Sequence, residues 1–211
     1  MNLFYLELIG TVAFAFFGSN DRQIEKKMDI FGVNVLGATT AVGGGIMRDI
    51  ILGLTPPGAF SHPVYVLVAA LTSTILFVIA YAKPTAFESR VKTDYYDKLM
   101  FWCDTAGLGI FTVVGIQAAV RAVGGENVFF FVFIGTLTGV GGGVLRDIMA
   151  GETPYILVKH IYACAAIAGG IVCVVGRTAF GEAYGTILGL AATVLLRFLA
   201  AHFRWNLMRV S

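Results

Sequence analysis

Residues 42–62 read VGGGIMRDIILGLTPPGAFSH, and residues 140–160, ninety-eight positions later, read VGGGVLRDIMAGETPYILVKH. The two segments are identical at 11 of 21 positions, including a glycine triplet and an Arg-Asp pair. Each segment places helix-weakening glycines and two charges inside apolar sequence, which is costly in lipid unless the segment packs within protein or lines a cavity. Two matching segments of this kind indicate a site between the repeats of a membrane protein.

The composition is that of an integral membrane protein. Of the 211 residues, 57% are hydrophobic and 13% are charged, whereas soluble domains carry about 25% charged residues. Apolar runs of spanning length, roughly 20 residues each, recur along the chain. We therefore predict a single all-α transmembrane domain with seven helices, at about 3–18, 31–53, 63–82, 98–120, 127–151, 156–176 and 183–203.

The duplication extends beyond the opening segments. Gly37 aligns with Gly135 at the same offset, and with one residue of slippage Glu7 aligns with Asp104. Repeat 1 thus covers about 3–82, repeat 2 about 98–176, and the seventh helix, about 183–203, is extra. Because each repeat holds three spans, the second enters the membrane from the opposite side, so we expect inverted repeats with spans 2 and 5 broken at the glycine triplets.

The distribution of Lys and Arg predicts the orientation. Arg121 and Arg177 fall on one side, whereas ten basic residues share the other, which predicts an N-terminus outside and a C-terminus in the cytoplasm. Of these ten, Arg22, Lys26, Lys27 and the basic residues of 83–98 either contact anionic lipid headgroups or simply set the topology. The net charge of +2 gives no reason to expect a nucleic-acid partner. The ten residues are Arg22, Lys26, Lys27, Lys83, Arg90, Lys92, Lys98, Lys159, Arg204 and Arg209.

The glycines and charges within the spans are the candidate ion pathway. Glycine triplets either bend a helix and expose its carbonyls or let two helices pack closely, and their symmetric doubling favours a pore. The primary candidates are Gly43, Gly44, Gly45, Arg48, Asp49, Asp104, Gly141, Gly142, Gly143, Arg146 and Asp147, and the secondary candidates are Glu7 and Arg197.

The charged candidates need partners inside the protein, because an unpaired charge in the bilayer is expensive. Neighbouring residues on a helix point about 100° apart, so we expect Arg48 to pair with Glu7, Asp104 or Asp147 rather than with Asp49. Structural ion pairs and direct contact with a permeant ion both remain open for these groups. Arg197 either extends to the membrane surface or pairs with an acid in the bundle.

The chain offers no motif for chemistry on a bound cofactor. The glycine triplets do not follow a soluble strand and lack the lysine of a phosphate-binding loop. The three cysteines lack metal-ligand spacing. We therefore expect a protein that is not an enzyme and that holds no metal or organic cofactor.

The doubled GGGxxRD motif, within seven spans and two inverted three-helix repeats, resembles the trimeric intracellular cation (TRIC) channels, specifically their prokaryotic members. The resemblance covers nearly the whole chain. It implies a homotrimer with one pore per subunit, permeable to K⁺ and less selectively to Na⁺, in which kinked spans 2 and 5 line the pore. It also implies a prokaryotic plasma membrane, because the chain ends a few residues after span 7.

The residues alone leave the sign of the permeant ion undecided. Half-helix N-termini after the glycines, with Arg48 and Arg146, favour anions, whereas the carboxylates and half-helix carbonyls favour cations. The resemblance selects cations. A secondary transporter of a small zwitterionic or anionic solute is the main alternative, since inverted repeats with broken helices are also transporter architecture. A non-conducting scaffold with purely structural charges is a third.

Overall fold

The structure, a computed structural model, describes residues 3–19, 28–82, 94–158 and 161–205. These ranges are helical apart from short connections, which confirms the all-α prediction. The helices are α1 (Leu3–Gly18), α2 (Ile30–Ile51), α3 (Gly58–Ser61), α4 (Val64–Ala82), α5 (Asp94–Val123), α6 (Val128–Met149), α7 (Tyr155–Val158), α8 (Tyr162–Phe180) and α9 (Glu182–His202).

Six of these helices are long and apolar enough to cross a membrane: α2, α4, α5, α6, α8 and α9. The predicted first span is α1, an apolar helix of 16 residues that is shorter than a usual span. A count of seven spans therefore remains a prediction. Large apolar side chains point outward, such as Phe31 and Phe129 with 73% and 81% of their surface exposed, as expected for helices surrounded by lipid.

The predicted break of spans 2 and 5 at the glycine triplets is wrong. Helix α2 continues without interruption through Gly43–Gly45, and α6 continues through Gly141–Gly143. Each glycine weakens a helix by about 1 kcal/mol relative to alanine, but an apolar environment penalises every backbone group that loses its hydrogen bond. Close packing between the two helices also rewards the missing side chains.

That packing occurs where α2 crosses α6. A Cβ on Gly44 would overlap the carbonyl oxygen of Thr138, and a Cβ on Gly142 would overlap that of Thr40. Going four residues forward on α2, from Thr40 to Gly44, moves the contact four residues back on α6, so the helices are antiparallel. The contacts are also reciprocal between the repeats, which is the pattern of a two-fold axis. Inverted repeats require this arrangement.

The two crossing helices begin in the same way. The side chain of Asp29 accepts a hydrogen bond from the backbone N–H of Gly32 (2.8 Å), and that of Asn127 accepts one from Phe130 (3.0 Å). These are N-caps at equivalent repeat positions, and each satisfies a donor left over at the start of its helix.

The two helices also end in the same way, just after the Arg-Asp pairs. Gly53 and Gly151 have φ angles of 71° and 69°, the left-handed conformation in which glycine commonly follows a helix. The chain then turns into the short helices α3 and α7. Because α2 and α6 are antiparallel, their Arg-Asp pairs lie toward opposite ends of the helix pair.

The extra helix α9 packs mainly on α8 and also contacts α5. Glycines allow the close approach: a Cβ on Gly185 or Gly189 would collide with the backbone or side chain of α8. This packing brings Arg197 against α5. Most of the basic residues that predict the orientation lie outside the described residues: Arg22, Lys26, Lys27, Lys83, Arg90, Lys92, Lys159 and Arg209.

Candidate functional site

The first of two charged clusters, here called the first-repeat cluster, consists of Glu7, Arg48, Asp49 and Tyr65. Arg48 Nε donates to Asp49 Oδ1 at 2.7 Å, and Arg48 Nη1 lies 3.7 Å from Glu7 Oε1. The Tyr65 hydroxyl donates to Glu7 Oε2 at 2.6 Å. Helices α1, α2 and α4 thus each supply part of one connected polar group.

Asp49 also fixes the short helix α3. Its Oδ2 accepts a hydrogen bond from the backbone N–H of Gly58 at 2.7 Å, at the start of that helix. The prediction that Arg48 would avoid Asp49 is therefore wrong, whereas its pairing with Glu7 is confirmed. The 100° rule concerns the direction of Cβ atoms, but the long arginine side chain folds back to a carboxylate that a backbone N–H already holds in place.

The first-repeat cluster opens into a cavity of about 330 Å³. The side chains of Arg48 and Glu7 keep 12% and 24% of their surface exposed there, while Asp49 is nearly buried at 4%. The volume lies within the range of small-molecule sites, about 300–1,000 Å³. The walls also include Gly45, Thr11 and His62.

The second-repeat cluster consists of Asp104, Arg146, Asp147, Tyr162 and Arg197. Asp104, 1% exposed, accepts from the Tyr162 hydroxyl at 2.7 Å and from Arg197 Nη2 at 2.5 Å. The Arg197 guanidinium lies over the Tyr162 ring, 4.6 Å from its centroid. The expectation that Arg197 pairs with an acid in the bundle is thereby confirmed.

Arg146 uses one edge of its guanidinium group to bind Asp147. Its Nε and Nη2 both donate to Asp147 Oδ1, at 2.8 and 2.6 Å, and its guanidinium lies 4.5 Å from the centroid of the Phe17 ring. Asp147 Oδ2 accepts from the backbone N–H of Tyr155 at 2.6 Å, so it anchors α7 as Asp49 anchors α3. The buried Nη1 of Arg146 has no hydrogen-bond partner among the described residues.

The cavity at this second cluster is nearly closed, with a volume of about 10 Å³. That is roughly the space of one water molecule. Side chains of Phe17, Tyr155 and Tyr162 surround the charges. The two clusters are thus matched in their polar contacts but differ in access: the first is open and the second is closed.

The structure divides the glycine triplets between two roles. Gly43, Gly44, Gly141 and Gly142 lie in the crossing of α2 and α6, where each is packed against the other helix. Gly45 and Gly143 instead line the first and second cavities. The close-packing reading of the triplets therefore holds for two glycines of each, and the cavity reading for the third.

Sequence reasoning missed the tyrosines of both clusters. Tyr65 and Tyr162 are 97 residues apart, the same slipped offset that relates Glu7 to Asp104. Each tyrosine donates to the carboxylate that lies 58 residues before it. Extending the slipped alignment by one more pair would have found them. Tyr155, whose backbone N–H holds Asp147, carries no such signal because Pro57 is its counterpart.

Comparison with known proteins places this geometry in a family. A family model described as glycine transporter matches the chain twice, over residues 4–81 and 101–178. The UPF0126 inner membrane protein YadS of Escherichia coli (strain K12) is 36% identical over 209 residues, covering 98% of this chain and 94% of the relative. A UPF0126 membrane protein of Deinococcus radiodurans is 38% identical over 169 residues, covering 79% and 73%.

Solved structures of TRIC cation channels have the same fold. One is 33% identical, covers 100% of this chain and 98% of the other, and superposes with a TM-score of 0.84. The TRIC orthologue from Rhodobacter sphaeroides is 31% identical, with coverage of 96% and 98% and a TM-score of 0.82. These matches confirm the resemblance carried by the doubled GGGxxRD motif. The chain belongs to the UPF0126 membrane proteins and to the family described as glycine transporter, and it has the TRIC channel fold.

Proposed function

We propose that this protein is a monovalent cation channel, permeable to K⁺ and less selectively to Na⁺, in a prokaryotic inner membrane. In this proposal each subunit of a homotrimer contains one pore lined by α2 and α6, with the N-terminus outside. The solved TRIC cation channels, similar over the whole chain, support the assignment. The inner-membrane relative in Escherichia coli supports the location.

The observation that carries the choice of cations is the charge of the open cavity. Its walls hold two carboxylates, Glu7 and Asp49, against one guanidinium, Arg48. Such an excess of negative charge in a low-dielectric cleft concentrates cations. Because α2 and α6 continue through the triplets, they present neither half-helix N-termini, which favour anions, nor half-helix carbonyls, which favour cations, and the side-chain charges are left to set the preference.

In the proposed path an ion enters at the first-repeat cluster, passes the crossing of α2 and α6, and leaves at the second-repeat cluster. The second cavity, about 10 Å³, must widen before an ion can pass. The described arrangement is then a closed state, and the contacts of Arg146, Arg197 and Tyr162 are the ones that opening would rearrange.

Efflux of K⁺ from liposomes containing the purified protein tests the proposal. We expect efflux that depends on the protein and changes in rate or in K⁺ over Na⁺ preference when Asp49→Asn or Asp147→Asn removes a charge. Asparagine keeps an oxygen for the backbone N–H that each aspartate binds. Asp97→Asn, on the exposed start of α5, is the matched control. Absence of efflux would count against the channel. Identical efflux from the unmodified protein and from both variants would count against a role for the two carboxylates.

A carrier of glycine or another small zwitterion is the second candidate. The family model described as glycine transporter matches both halves of the chain, and one open and one closed cavity at opposite ends also suit alternating access. Uptake of glycine into the same liposomes separates the two. Saturable glycine uptake without K⁺ efflux favours the carrier, and K⁺ efflux without glycine uptake favours the channel.

A further inference from the structure

We propose that the first cavity is a binding site for a small zwitterionic amino acid, whose carboxylate binds Arg48 and whose ammonium group binds Glu7. The inference assigns residues to the second candidate function, but it concerns binding alone and does not depend on which transport mode is correct. It rests on the hydrogen-bonding groups that these two side chains leave unused.

Arg48 keeps the fork of its guanidinium free. Asp49 takes only the Nε donor, and neither Nη1 nor Nη2 has a hydrogen-bond partner among the described residues. The closest acid oxygen is Glu7 Oε1 at 3.7 Å, beyond hydrogen-bond distance. Two adjacent free N–H groups of a guanidinium match the two oxygens of a carboxylate.

Glu7 provides the complementary acceptor. Its Oε2 accepts from Tyr65, which orients the carboxylate, and its Oε1 has only the long contact to Arg48 within the part of the chain that the structure describes. Arg48 and Glu7 thus lie close together, and each has hydrogen-bonding groups that remain unused. Such a cation and anion are complementary to the carboxylate and the ammonium group of an α-amino acid. Binding would replace one weak contact with three charge-assisted hydrogen bonds, two from Arg48 to the ligand carboxylate and one from the ligand ammonium group to Glu7.

The second repeat shows what a filled arrangement looks like. There Arg146 donates hydrogen bonds from both Nε and Nη2 to Asp147, and Arg197 donates one to Asp104. Only about 10 Å³ of space remains beside them. Arg146 Nη1 is also without a partner among the described residues, but only the first repeat has room for a ligand beside its free groups, about 330 Å³.

The walls also limit the ligand's size. Much of the lining is short or apolar, as at Thr11, Ala41, Val42, Phe111 and the two glycines Gly45 and Gly58. Asp49 also lies in the wall, but its two oxygens already accept hydrogen bonds from Arg48 Nε and the Gly58 N–H, and His62 is a further titratable side chain there. We therefore expect glycine or alanine to bind, and amino acids with charged side chains to bind more weakly.

Calorimetric titration of the purified full-length protein in mild detergent tests the inference, with glycine as the probe. Acetate, which has only the carboxylate, and glycinamide, which has only the ammonium group, are the comparison ligands. We expect saturable glycine binding that is weakened roughly tenfold or more by Arg48→Gln and by Glu7→Gln. Acetate and glycinamide should bind far more weakly than glycine. Asp97→Asn and Lys98→Gln, an exposed acid and base on α5 outside this cavity, should bind glycine as the unmodified protein does.

The Glu7→Gln variant keeps the test decisive if Arg48→Gln fails to fold, because glutamine retains an oxygen for Tyr65 and Glu7 is partly exposed. No glycine binding by the unmodified protein, or unchanged binding by Glu7→Gln, would overturn the inference. K⁺ efflux measured on the same preparations keeps the two proposals apart. Efflux without glycine binding refutes only this site, and glycine binding without efflux refutes only the channel.

Discussion

Arg197 in α9 places its Nη2 atom 2.5 Å from Oδ2 of Asp104 in α5, and both side chains are at least 96% buried. Helix α9 lies outside the duplicated part of the chain, so repeat 1 has no counterpart of this arginine. Glu7, the equivalent of Asp104, instead contacts the more distant Arg48 at 3.7 Å. The extra helix thereby makes the two otherwise matched clusters unequal, because it supplies a cation that only the second carboxylate binds.

The Arg197–Asp104 pair should be essential to stability. In Arg197→Gln the Asp104 carboxylate stays buried but loses its cation. Of the described side chains that donate to it, only the Tyr162 hydroxyl then remains. Breaking one side of a buried pair costs about 3–5 kcal/mol. Thermal unfolding in detergent should show a large loss, and Asp104→Asn combined with Arg197→Gln should recover part of it.

The exposed pair of Arg121 and Glu182 is the control for that measurement. Their side chains are 56% and 36% exposed, with Nη2 and Oε1 2.8 Å apart. Surface pairs contribute about 0–1 kcal/mol, so Arg121→Gln should unfold close to the unmodified protein. An equal loss in the two variants would show that burial of the Arg197 pair has no special effect.

Adjacent glycines in the second triplet should respond differently to alanine. In Gly142→Ala the new Cβ would overlap the Thr40 carbonyl oxygen, whereas in Gly143→Ala it would meet nothing within 4 Å. Overpacking typically costs about 1–3 kcal/mol, so Gly142→Ala should lower the unfolding temperature. Gly143→Ala should leave it unchanged or raise it, because alanine favours a helix. Equal effects would refute the backbone contact between α2 and α6.

The two cluster tyrosines should also differ. Tyr162→Phe removes a donor from a fully buried carboxylate, and an unsatisfied buried acceptor costs about 1–3 kcal/mol, more when it is charged. Tyr65→Phe leaves Glu7 partly exposed to solvent, which can replace the lost donor. Unfolding measurements should therefore show a clear loss for Tyr162→Phe and a small one for Tyr65→Phe, and the reverse order would contradict the difference in access.

Cysteine labelling measures that access directly. In a variant with Cys103, Cys164 and Cys173 replaced, single Gly45→Cys and Gly143→Cys substitutions place a thiol in the first and second cavities. A membrane-impermeant thiol reagent should label the residue at 45 from one side of the membrane. The residue at 143 should react slowly or not at all from either side. Rapid labelling at both positions would show that the second cavity is not closed.

The predicted sixth span begins at 156, six residues before α8, because the short helix α7 precedes α8. The other spans could be predicted within a few residues, because the length of an apolar run depends on bilayer thickness. The positions of α2 and α6 are examples. The continuity of these helices could not, because the sequence displays the cost of Gly43–Gly45 but not the opposing backbone of Thr138. The helix propensity of a glycine is local, whereas the contact that offsets it joins residues about a hundred positions apart.

Partner choice shows the same limit. The need to neutralise buried charge limits the partners of Arg48 to Glu7, Asp104 or Asp147, and only the packing of α1 against α2 selects Glu7. Its pairing with Asp49 depends on the N–H of Gly58 at the start of the short helix α3, a contact that the repeat alignment does not show. The sequence allows Arg197 either to extend to the membrane surface or to pair with an acid in the bundle. Only the packing of α9 against α8 and α5 decides between these alternatives.

Planar-bilayer recording of the purified protein under a KCl gradient is the most direct test of cation conduction. We expect single-channel currents that reverse near the K⁺ equilibrium potential, since the open cavity holds two carboxylates against one guanidinium. Currents that reverse near the Cl⁻ potential would contradict it, and so would an electrically silent membrane whose protein accumulates glycine saturably.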